Sequence, residues 1–158
     1  MLWFEIKDKK QYVNETFKSG IELFFNKKID SGLKKSCKRF IKWLKTKYYF
    51  PILVEIHFKT TDRVEAENGE KLYGLFFGPY DKEYQSYIRI ATGEYKDDCA
   101  NKGRDNARVY ILHTIAHELS HYFQWIQYGW KDKKKDEKEA SECADYIIDC
   151  YKSRYKYP

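Results

Sequence analysis

The run His117-Glu118-Leu119-Ser120-His121 constrains this chain more than any other feature, because it lies inside an apolar repeat of helical period. Ile111, Leu112, Ile115, Leu119, Phe123 and Ile126 recur at spacings that predict a helix over residues 107–128, with Gly129 as its stop. Histidines four residues apart leave one helix face on successive turns, so their imidazoles can converge on a single metal ion. Glu118 stands one step round from His117, within reach of a water that such an ion would activate. The pattern predicts a zinc hydrolase, with His117 and His121 as metal ligands and Glu118 as general base.

The flanking segments predict what this helix packs against. Val13, Phe17, Ile21, Phe24 and Phe25 have helical spacing over residues 12–28, interrupted at Gly20. A second helix is expected over 33–48, with Leu33, Cys37, Phe40, Ile41 and Leu44 on one stripe and lysines opposite. Residues 52–58, 72–77 and 87–91 read as strands, and their short separations predict an antiparallel meander. Residues 61–70 and 94–105 are polar and read as loops, and 130–135 as a lysine-rich connection. A last helix is expected over 137–151, on Ala140, Cys143, Ala144, Ile147, Ile148 and Tyr151. The expected fold class is α+β: a small, mostly antiparallel sheet on the histidine helix, with two helices ahead and one behind. At 158 residues one domain is expected, 1–158, with a basic helical part (1–50) and the sheet and site helices (51–158).

Composition removes several classes. Apolar residues at 42% and aromatics at 18% argue against disorder. No apolar run reaches the roughly 18 residues of a membrane span, and residues 1–8 lack a secretory pattern. The four cysteines form no C-x-x-C, and Cys143 and Cys150 stand two helical turns apart, too far for a disulfide. Reduced thiols in a cytoplasmic protein are the expectation. Charge is uneven: residues 1–50 hold 13 Lys and Arg against 5 Asp and Glu, the remainder 17 against 19. Solvated lysine-rich faces account for this bias without a partner. Nucleic acid is the alternative, though no recognised nucleic-acid motif accompanies it.

A catalytic zinc takes three protein ligands and keeps one position open. No histidine follows His121, so the third donor is sought among Glu137, Glu139 and Glu142 of the last helix. His113 lies about 12 Å along the axis from His121, so His113, His117 and His121 cannot share one ion. His57, alone in a strand, reads as structural, and Cys143 as core. With H-E-x-x-H followed by Glu139-Ala140-Ser141-Glu142-Cys143-Ala144, residues 52–152 resemble the gluzincin metallopeptidases, in particular the minigluzincins and ImmA/IrrE-type peptidases. The resemblance implies a zincin-like fold and a zinc metalloendopeptidase. It implies Zn2+ held by His117, His121 and Glu139, with Glu142 in reserve, and Glu118 as base and proton shuttle. It also implies that residues 87–91 are an edge strand to which a peptide or protein substrate adds. The chain departs from the thermolysin-like pattern at Cys143, where an orienting aspartate is expected four residues after Glu139. The rival reading is a zinc-holding regulatory or nucleic-acid-associated protein with little or no turnover.

Overall fold

A computed structural model describes residues 2–13, 17–129 and 132–158. Among these the elements are a 3-10 helix (Ile6–Gln11), β1 (Ile21–Phe25), α1 (Ser31–Lys47), β2 (Val54–Lys59), β3 (Val64–Glu65), β4 (Lys71–Leu72), β5 (Gly74–Phe77), β6 (Ser86–Ala91), α2 (Tyr95–Lys102), α3 (Arg104–Tyr128) and α4 (Lys133–Arg154). The class is α+β, as expected, but the sheet is mixed.

The helix expected over residues 12–28 is not formed: among the described residues 12, 13 and 17–20 are turn or irregular, and Ile21–Phe25 is β1. Gly20 has φ +104°, which no helix continues through. Beyond it, Ile21, Leu23 and Phe25 alternate with Glu22 and Phe24, and the inward set packs on the core. Residues 14–16 of that expected helix lie outside the described residues, as do residues 130 and 131 of the expected connection. The segment 94–105, expected as a loop, contains α2, whose polar sequence hides its one anchoring ring, Tyr95.

Strand order is β1-β2-β6-β5. β1 pairs parallel to β2, and β2 parallel to β6; only β5 runs antiparallel, beside β6. The expected meander is therefore corrected. Parallel neighbours need a crossover, and α1 supplies one between β1 and β2. Val64–Glu65 and Lys71–Leu72 form a separate two-stranded hairpin, β3–β4, so the segment 61–70 is more than a plain loop and Leu72 leaves the strand expected over 72–77, which is reduced to β5. The order also corrects the edge: residues 87–91 lie in β6, inside the sheet, and the edge strands are β1 and β5.

One face of the sheet is apolar. Val54, Ile56 and Phe58 of β2, Ile88 and Ile90 of β6, and Phe76 of β5 pack against the helices. α3 is buried on several sides, by the sheet, by α4, and by the amino-terminal segment, where Trp3 Nε1 donates to Ser120 Oγ at 3.0 Å. Tyr122 clamps the start of β2, accepting from the Ile52 amide at 2.9 Å and donating to the Ile52 carbonyl. A central helix held this way fixes the direction in which its remaining polar face points.

Candidate metal centre

That polar face carries His117, Glu118 and His121 toward β5 and the amino-terminal end of α4. The two imidazoles turn their Nε2 atoms to each other, 3.2 Å apart. Glu137, in the second turn of α4, closes a triangle, with carboxylate oxygens 3.1 Å from His117 Nε2 and 3.1 Å from His121 Nε2. His117, His121 and Glu137 are the one group of three such donors found among the described residues. At zinc–ligand bonds of about 2.0–2.1 Å, tetrahedral donors stand about 3.3 Å apart. The triangle fits that spacing, and its two-nitrogen, one-oxygen chemistry suits zinc.

Glu137 occupies the place expected of Glu139. The Glu139 carboxylate instead accepts from Gln124 Nε2 at 3.0 Å and from the Tyr128 hydroxyl. The reason is helical phase. Ala140 and Ala144, both fully buried, mark the α4 face packed on α3, and Glu137 precedes them by three and seven residues on that same stripe. Glu142 is exposed and pairs with Lys138 at 3.9 Å, away from the histidines.

The outer nitrogens are held as well. His121 Nδ1 donates to Gln124 Oε1 at 2.7 Å, while Gln124 Nε2 donates to the Asp136 carbonyl at 2.8 Å. Gln124 thus presents the Nε2 lone pair of His121 to the triangle and ties it to α4. His117 Nδ1 lies 3.4 Å from Ser141 Oγ. Ser141, four residues after Glu137, stands where the resemblance expects an aspartate once the ligand is shifted to Glu137. Neither Gln124 nor Ser141 was singled out by the sequence, where each reads as an ordinary polar helix residue. His113 pairs with Asp145 at 2.8 Å on the cleft wall, and His57 with Glu55 at 3.2 Å on the opposite sheet face. Cys143 is not among the metal-capable group.

Glu118 is 7% exposed, and burial raises its pKa against the pull of His121 and His117. Its carboxylate also has a hydrogen bond with the Phe76 backbone of β5. The strand passes this close because residue 74 is glycine. A Cβ there would lie 2.7 Å from Thr114 Cγ2 and 3.0 Å from Glu118 Oε1. Gly74→Ala is expected to cost about 1–3 kcal/mol by overpacking and to displace Glu118. Urea unfolding checks this, and an unchanged midpoint would contradict the close approach.

Burial disfavours the His121 cation, but Glu137, Glu118 and Gln124 outweigh it and raise its pKa above 6.5. The Glu137 carboxyl is held far below its usual range by its contacts with His117 and His121. Protons and metal compete for the imidazoles, so zinc affinity is expected to begin falling on acidification before pH 6.5 is reached. It then steepens toward about tenfold per pH unit for each imidazole displaced. Competition against a chelator across a pH series measures this; an affinity flat from pH 8 to pH 6 would refute it.

The triangle lies in a cavity of about 840 Å³, walled by β5 with Tyr73, by Tyr110, His113 and Thr114 of α3, and by the β3–β4 hairpin. Lys133 and Glu70 approach to 3.7 Å between α4 and the hairpin. Compared with known proteins, the chain matches no family model, no curated protein and no solved structure.

Proposed function

We propose that this chain is a zinc-dependent metalloendopeptidase of gluzincin type on a zincin-like fold, with the metal on His117, His121 and Glu137. The observation that carries the reading is the donor triangle with buried Glu118 beside it, in a cavity walled by the edge strand β5. When bound, zinc would polarise a scissile carbonyl and lower the pKa of a water from about 15.7 toward about 7. Glu118 takes a proton from the attacking water and delivers it to the leaving amine. The raised Glu118 pKa suits both halves of that task, since the group must accept a proton and then release it. β5, the edge strand beside the triangle, aligns an extended peptide by main-chain hydrogen bonds, and Gly74 keeps it against Glu118. Gln124 and Ser141 hold the imidazoles in place throughout.

The test is cleavage of a peptide library and of unfolded protein by the zinc-loaded chain. Cleavage is expected to stop with a chelator and to return with zinc. Stoichiometric zinc with no cleavage of either substrate would overturn the peptidase reading and leave a metal-holding protein.

A further inference from the structure

The strongest feature outside the metal centre is the outward face of α1. Between Ser31 and Lys47 the helix carries Lys34, Lys35, Lys38, Arg39, Lys42, Lys45 and Lys47 and no acidic residue. Its inner face, with Leu33, Cys37, Phe40, Ile41 and Leu44, is buried in the core, so Lys35, Lys38, Arg39 and Lys42 face outward together, while Lys45 Nζ turns back to the Ile21 carbonyl at 3.0 Å. Tertiary structure extends this face with residues more than a hundred positions away. Arg39 donates to the Tyr151 hydroxyl at 3.2 Å and to the Tyr157 carbonyl. The Tyr155 ring lies 5.4 Å from the Arg39 guanidinium and 5.9 Å from that of Arg154. Arg154 and Lys156, both exposed and flanking Tyr155, are thereby joined to the lysines of α1.

We infer that this surface docks the phosphate backbone of double-stranded nucleic acid without reading its sequence. Charge supplies the attraction, and the chemistry of the face selects the partner. The exposed residues of α1 are lysines, Arg39, Ser31 and Thr46, with no apolar side chain to enter a bilayer. Within α1 no exposed Trp, Tyr or Leu offers the central anchor on which a stable protein interface is built; the exposed Tyr157 lies at the margin of the surface, beside Arg39. Lysines are point charges that neutralise phosphates but do not discriminate bases, and Arg39 is already engaged by its own chain. At 17 residues α1 is about 25 Å long, which spans about seven base pairs at 3.4 Å each. The surface is separate from the donor triangle, so this inference stands whether or not the chain cleaves peptides.

The test is fluorescence anisotropy of a labelled 20-base-pair duplex of random sequence with the full chain, from low to high potassium chloride. Binding is expected at low salt, equal for unrelated sequences, weakening with a log–log slope of about −0.9 per phosphate contacted. Reversing Lys34, Lys35, Lys38 and Lys42 to Glu is expected to lower affinity at least tenfold and flatten that slope. Replacing the same four with Arg is expected to preserve binding. Should the quadruple reversal not fold, Arg154→Glu with Lys156→Glu tests the other end of the surface and is expected to weaken binding severalfold. Glu118→Gln is expected to bind as the parent chain does. No duplex binding at low salt, binding unaffected by both reversals, or tighter binding to vesicles containing phosphatidylserine would overturn the inference.

Discussion

Glu118→Gln is expected to leave zinc stoichiometry unchanged and to reduce peptide cleavage by a factor of about 10² to 10⁴, the usual contribution of a general base. The glutamine keeps the size of the side chain and an oxygen able to accept a hydrogen bond, so the β5 contact can survive. What is lost is the ability to take and return a proton. Glu118 is not part of the donor triangle, so metal content is the control. Metal analysis and cleavage assays on the same preparation separate the two effects. Unchanged turnover in this variant would remove Glu118 from the mechanism; loss of zinc would show that it serves the metal instead.

The second large effect is expected at Glu137. Replacing it with Ala takes away the carboxylate that faces both imidazoles, leaving two protein donors where a zinc site needs three. Zinc affinity should fall by a factor on the order of 10² or more. Glu139→Ala provides the contrast. Its carboxylate is occupied by Gln124 and Tyr128, so its removal slackens the support of His121 without deleting a donor. A loss of no more than about tenfold is expected, in the range of outer-shell substitutions. The reverse ranking would return the proposed third ligand to Glu139 and refute the role of Glu137.

These two variants mark where the sequence was legible. The histidine helix could be read because its apolar stripe and the H-E-x-x-H run are local, and both obey one period of 3.6 residues. α1, α4, β2, β5 and β6 were visible for the same reason, each announced by its own periodicity. The carboxylate that closes the triangle was not. Three glutamates in six residues of α4 differ only in direction, and direction depends on which face packs against α3. The buried alanines Ala140 and Ala144 held that information, but the Glu-Ala step of the resemblance pointed one face away. β1 was hidden because Ile21, Phe24 and Phe25 have a helical spacing, while the strand turns Phe24 outward and Gly20, at φ +104°, precedes it with no helix before it.

By itself the sequence determined that an α+β chain would carry two imidazoles and a carboxylate on one turn of a central helix, because that spacing is set by the helix backbone. Only the tertiary structure decided that Glu137 completes the triangle, that β5 and not β6 is an edge strand, and that the carboxy-terminal cations join those of α1. Each of those depends on how separate elements pack, through contacts between residues far apart in the chain, and local periodicity carries no record of such contacts.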